Sequence, residues 1–194
     1  MMNDSLFKDK IKKNFLETGR ILTEVADTET EKIILAGKFI ADAFDRGGKI
    51  LACGNGGSAA DAQHFVAEFI GRFYTERQSL PAITLSVDPS IVTAIGNDYG
   101  FASIFARQIE GLGKAGDILV VISTSGKSAN ILQAIDAAQR NNLKVIALVG
   151  GVVHEKVKNC DLYFSVPSSD TPRIQEAHMA ILHSICEYVE VIKN

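Results

Sequence analysis

The six residues Ser123-Thr124-Ser125-Gly126-Lys127-Ser128 place four hydroxyls and a glycine between an apolar run and a helical stretch. Backbone N–H groups at a helix N-terminus point outward and carry partial positive charge, so hydroxyls clustered there suit a phosphate. Ordinary N-capping needs one hydroxyl, and this loop has more. It is not a Walker loop, which requires G-x-x-x-x-G-K-[ST]. A second loop, Cys53-Gly54-Asn55-Gly56-Gly57-Ser58, has glycines that let a ligand approach the backbone closely. Gly54, Gly56 and Ala59 loosely fit the dinucleotide pattern G-x-G-x-x-A. The acidic residue that a dinucleotide site needs about 20 positions later is missing, and Asp88 lies well beyond it.

Two further stretches carry titratable groups. His64 and Glu68 stand four apart in a helical segment that follows the glycine loop, so they share a face. An imidazole and a carboxylate suit a borderline cation such as zinc. The last helix carries Arg173, Gln175, Glu176, His178 and His183. Spacing leaves both His178 and His183 open as partners of Gln175.

These residues need elements to hold them. Short apolar runs at Lys49–Cys53, Ala82–Ser86, Ile118–Ser123, Val145–Val149 and Leu162–Val166 alternate with helical stretches. The first four lack polar alternation, as strands buried on both faces do. The expected fold is therefore α/β: a three-layer sandwich with a five-stranded, mainly parallel sheet between helices. Ligands bind such sheets beyond the carboxyl ends of the strands, where both loops fall. Ahead of the sheet, Phe7, Ile11, Phe15 and Leu22 mark one amphipathic segment, and Ile34, Leu35, Phe39 and Ala43 mark a second. Thr28 and Glu31 read as a capping box between them, so an N-terminal helical hairpin is expected. The last helix runs from about Thr171 with Ile174, Ala177, Ile181, Ile185, Val189 and Ile192 on one side. The organisation is one domain over 1–194, with N-terminal helices in 1–47 and the sheet core and last helix in 48–194.

The 194 residues are 46 % hydrophobic, enough for a sizeable core, and the formal net charge is −3. No basic excess is present to neutralise a nucleic-acid backbone. Cys53, Cys160 and Cys186 are widely spaced with no CxxC pair, which implies neither a zinc knuckle nor a disulfide framework. The N-terminus lacks a signal-peptide apolar stretch, and no run reaches the ~20 apolar residues that span a bilayer. A cytoplasmic protein is expected.

The ordered set CGNGGS, D-A-x-H-F-x-x-E, G-N-D-Y-G-F, STSGKSAN and RIQEAHMAILH resembles the phosphoheptose isomerase family over nearly the whole chain. The resemblance implies a sugar-isomerase domain, a homotetramer and sites formed between subunits. The implied reaction converts sedoheptulose 7-phosphate into D-glycero-D-manno-heptose 7-phosphate, the first step towards nucleotide-activated heptose for surface polysaccharides such as lipopolysaccharide. His64, Glu68, Gln175 and His183 match the family's metal ligands, for one Zn2+ per subunit, and Glu68 and His183 match its acid–base pair. The implied substrate contacts are Asn55, Gly56, Gly57, Ser58, Glu68, Asn97, Asp98, Ser123, Thr124, Ser125, Ser128 and Gln175, with the serine loop on phosphate. Gln175 and His183 are about 12 Å apart along a helix, so one ion would need both side chains to converge between them. An alternative is the family's non-enzymatic paralogue, which binds a replication initiator protein. That paralogue lacks an acid and an imidazole at the positions of Glu68 and His183, and this chain has both. A sugar-phosphate-sensing regulatory domain is a further alternative, but no DNA-binding segment accompanies the domain.

Overall fold

The computed structural model describes residues 4–193. Five strands, β1 (Ile50–Gly54), β2 (Ala82–Thr84), β3 (Ile118–Ser123), β4 (Lys144–Gly150) and β5 (Leu162–Val166), form one sheet in the order β2-β1-β3-β4-β5. Every pairing is parallel. The chain steps from β1 to β2 on one side and returns to β3 on the other. The loops after β1 and β3 therefore flank the topological switch point, where open α/β sheets bind ligands.

Side chains alternate across the sheet. Ile50, Ala52, Val120, Ile122, Ile146 and Leu148 face a core closed by α1 (Asp4–Asp45), α2 (Gly57–Ile70) and α7 (Thr171–Lys193). Leu51, Cys53, Leu119, Val121, Ala147 and Val149 face the opposite core, closed mainly by α4 (Ala106–Leu112) and α5 (Ala129–Arg140). Burial on both faces explains why the central strands read as unbroken apolar runs. The outer strand β5 is buried only at alternate residues. Phe65 and Phe69 of α2 pack edge to face, with Phe44 of α1 against Phe69. Each such buried ring contributes about 1.5–3 kcal/mol, which holds α2 firmly on the sheet. Among the described residues the remaining helices are α3 (Pro89–Tyr99), a 3-10 turn at Phe101–Ser103 and the one-turn α6 (Glu155–Lys158). Asp88 caps α3 by accepting from the N–H groups of Ser90 and Ile91, and Pro89 follows at the first turn.

The expected hairpin is one uninterrupted helix of 42 residues. No glycine or proline interrupts the chain between Val25 and Thr30. The threonine that resembled a cap bonds backwards instead: Thr28 Oγ1 donates to the Glu24 carbonyl, as Thr30 Oγ1 does to that of Ala26. The buried stripe is Ile21, Val25, Ala36, Ile40 and Ala43, packed largely against α7. A helix this long spans about 63 Å and outruns the sheet. Leu6, Phe7, Ile11, Phe15 and Leu16 are accordingly exposed. On α7 the expected apolar face is buried from Ile174 to Val189, while Ile192 is exposed.

Candidate functional site

The glycine loop and the serine loop are joined at the switch point. The Asn55 and Asn130 side-chain amides donate to each other, at 2.9 and 2.8 Å. Asn130 Oδ1 also accepts from the Ile131 N–H, which fixes the amide orientation. Gly56 opens α2 with φ of 55°, a left-handed conformation that favours glycine. Gly57 has a different reason. A Cβ there would overlap the Gln175 amide, so the bare backbone lets Gln175 reach the mouth of the loop. Ser58 is buried beneath the loop.

In the serine loop, Ser123 Oγ accepts from the Gly126 N–H and Ser125 Oγ from the Lys127 N–H. Ser128 holds the N-cap position of α5, yet its hydroxyl makes no capping bond. The α5 N-terminus thus keeps backbone N–H groups available for an anion. Beside it opens a cavity of about 520 Å³, lined in part by Thr124, Ser125, Lys127, Ser168, Ser169 and Thr171. Lys127, Ser168, Ser169 and Thr171 are additions to the residues expected from sequence. The signal for the last three was the run Ser168-Ser169-Asp170-Thr171 at the start of α7, a second hydroxyl cluster at a helix start.

Helices α2 and α7 run side by side in the same direction, with Gln175 against Gly57 and His183 against His64. His64 Nε2 stands 2.9 Å from a Glu68 oxygen and 3.4 Å from His183 Nε2. One ligand atom from each of the three residues lies within 4.8 Å of the others. Two imidazole nitrogens facing each other need a proton or a cation between them. Ligands about 2.1 Å from a tetrahedral zinc lie ~3.4 Å apart, so the two-nitrogen, one-oxygen set fits such an ion. Burial holds the His183 imidazole below its usual pKa, the nearby His64 adds to this, and the Glu68 charge opposes it. Phe73 packs its ring 5.7 Å from that of His183. Asp61, one turn before His64, has a buried oxygen without a protein partner, and burial pushes its carboxyl up to about 6 against the opposing pull of His64.

His178 is fully buried, and its Nε2 donates to the Val149 carbonyl at 3.2 Å. This anchors α7 to the carboxyl end of β4 and leaves His183 as the imidazole at the cluster. Asn97 and Asp98 lie exposed on α3, with the Asn97 amide donating to the Asp98 carboxylate. The structure therefore gathers His64, Glu68 and His183 at one point and Asn55 and Gln175 at the glycine loop. Thr124 and Ser125 line the cavity.

A family model for the SIS domain matches residues 15–150. A phosphoheptose isomerase from Dechloromonas aromatica is 47 % identical over 186 residues, covering 94 % of this chain and 95 % of its own. The chain belongs to the phosphoheptose isomerase family. One from Neisseria meningitidis serogroup C is 46 % identical over 188 residues, covering 95 % of each chain. The solved structure of a family member from Francisella tularensis superposes with a TM-score of 0.91 at 41 % identity, covering 94 % of this chain and 97 % of that one. Among the described residues, no helix is long and apolar enough to cross a membrane.

Proposed function

We propose that this protein is an aldose–ketose isomerase that converts sedoheptulose 7-phosphate into D-glycero-D-manno-heptose 7-phosphate, the entry to nucleotide-activated heptose. The observation that carries this reading is the convergence of His64, Glu68 and His183 from two neighbouring helices, one of which opens at a switch-point loop.

The reaction moves a proton between neighbouring carbons through an enediol, so it needs a base, an acid and stabilisation of negative charge on oxygen. Glu68 and His183 are assigned to the proton transfers, one on each side of the enediol. His64, Glu68 and His183 would hold a divalent ion, for which zinc is proposed, one per subunit. Gln175 is the proposed fourth ligand and must turn from Gly57 to serve. When bound, the ion stabilises developing charge on the sugar oxygens. Ser123, Thr124, Ser125 and Ser128 hold the phosphate. Asn55, Gly56, Gly57, Ser58, Asn97, Asp98 and Gln175 are assigned to the sugar. The cavity that meets α7 at Ile174 lies about 13 Å along the helix axis from His183, which suits a phosphate remote from the reacting carbons. Fixing that remote group orients the carbons for proton transfer.

The whole chain is proposed to act as one sugar-isomerase domain in the cytoplasm. The exposed apolar residues of α1 support a homotetramer in which this helix packs on neighbouring copies. Light scattering should find four chains per particle, and a monomer at micromolar concentration would refute that assembly.

The deciding experiment is incubation with sedoheptulose 7-phosphate in deuterated water. Aldose product carrying solvent deuterium at the carbon that receives the proton is expected, and absence of product overturns the reading. Thorough chelation should abolish turnover. Full activity without metal would remove the ion from the mechanism.

A further inference from the structure

The segment between α2 and β2 has no regular secondary structure, yet it is tied down at both ends of its path. The backbone N–H groups of Phe73, Tyr74 and Thr75 all donate to the Glu190 carboxylate, at 3.1, 2.8 and 3.1 Å. Arg77 from the same segment stands with Nε 3.5 Å from Glu190 Oε1. Its guanidinium also donates to the carbonyls of Glu68 at 2.6 Å, Phe69 at 2.9 Å and Gln78 at 2.9 Å. The two side chains are 5 % and 4 % exposed.

The destinations of these bonds are informative. Helix α2 ends at Ile70, so the Glu68 and Phe69 carbonyls belong to its last turn and have no partner within the helix. Arg77 closes that turn, which carries the Glu68 side chain. Glu190 lies seven residues beyond His183 on α7, two helical turns along the same side. The segment it holds lays Phe73 against the His183 ring. A path of contacts thus runs from the backbone of Glu68 through the hydrogen bonds of Arg77, its ion-pair approach to Glu190 and the backbone bonds of Glu190 to the helix of His183. A buried ion pair is a weak source of net stability compared with apolar packing, which leaves positioning as a use for this one. Burial raises the Glu190 pKa, but the three backbone N–H bonds and Arg77 outweigh this and keep it charged at neutral pH.

We propose that the Arg77–Glu190 pair is a positioning device that sets the relative placement of Glu68 and His183 by locking the last turn of α2 to α7. Neither residue touches substrate or ion. The inference rests on the assignment of Glu68 and His183 to the metal and proton-transfer site.

The test uses full-length Arg77→Lys and Glu190→Gln. Arg77→Lys keeps a cation beside Glu190 but cannot serve the carbonyls of Glu68 and Phe69 together. Glu190→Gln keeps the shape and offers an amide where two oxygens accepted. Zinc affinity, measured by competition with a chromogenic chelator, should fall by roughly 10–100-fold in each variant, as it does when the partners that orient metal ligands are lost. The kcat should fall in parallel while KM, set by the distant phosphate loop, stays near wild type. The double variant should be no worse than the poorer single, since the two residues act as one unit. If Glu190→Gln does not fold, Arg77→Lys carries the test alone. Folded variants with wild-type zinc affinity and kcat would overturn the proposal. A wild-type protein that binds no zinc, together with normal turnover in Glu68→Gln, would instead sink the site assignment itself, so the two failures are distinguishable.

Discussion

The two ends of the sheet use buried polar groups in opposite ways. At the amino ends of the strands, Asp117 is 2 % exposed and fully engaged. Its carboxylate accepts from the Lys49 N–H at 2.9 Å, the Lys114 N–H at 2.8 Å and Lys49 Nζ at 2.5 Å. At the carboxyl ends, groups are held near one another but left with capacity to spare. Ser128 occupies a cap position without capping, and part-way down the helices that run back from these ends His64 and His183 face each other nitrogen to nitrogen. A satisfied group has nothing left to offer a ligand. Asp117 thus spends its bonding capacity on the fold, whereas Ser128 and the facing histidines keep capacity that the proposed function uses.

The largest effect expected from breaking this division is at Glu68. Glu68→Gln keeps shape and removes basicity, so kcat should fall by roughly 10²–10⁴. Its unfolding free energy should change by no more than about 1 kcal/mol. Near-normal turnover would end the contrast at its catalytic side. Asp117→Ala is the converse. It leaves Lys49 Nζ and two N–H groups unpaired and should cost about 3 kcal/mol of stability in a denaturant titration. The kcat and KM of the folded protein should not move. An altered kcat would show that the lower end also tunes the site.

Ser125→Ala sharpens the comparison within the upper end. Loss of a charge-assisted hydrogen bond worth about 1.5–3 kcal/mol should raise KM, with little change in stability. Unchanged kinetics would move the phosphate elsewhere in the cavity. The smallest effect concerns His178, at the boundary between the regions. Burial pushes this imidazole down to about 4, partly countered by its bond to the Val149 carbonyl. The unfolded chain, with a histidine pKa of about 6.5, binds the proton more readily. The stability that neutral His178 contributes is complete above pH 6.5 and is lost as pH falls towards about 4. Between pH 7 and pH 5 the loss should be about 2 kcal/mol, and His178→Gln should flatten that part of the profile. Parallel profiles for the two proteins would contradict the burial argument.

Much of the fold was legible because it depends on local pattern. Continuous apolar runs marked the central strands, and helical stretches between them required parallel pairing. Strand β2, only three residues long, was legible from Ala82 onward. The N-terminal helix was misread where two signals conflicted. Thr28 and Glu31 have the spacing of a cap, but a capping box needs an interruption in the chain, and nothing between Val25 and Thr30 supplies one. Exposed Phe7, Ile11 and Phe15 have the spacing of a core face but extend past the sheet. Periodicity reports which residues share a side, not what lies opposite.

The sequence by itself determined the α/β class, the two candidate loops and the shared helix face of His64 and Glu68, because these follow from short-range spacing and residue type. It left His178 and His183 as equals. Only the tertiary structure separated them: α7 turns His178 towards the Val149 carbonyl and His183 towards His64. Nor could spacing reveal the reciprocal amides of Asn55 and Asn130, or Glu190 beneath the 73–75 backbone. Those partners are 75 or more residues apart in the chain. They meet because burying the two apolar faces of the sheet sets where each helix must lie.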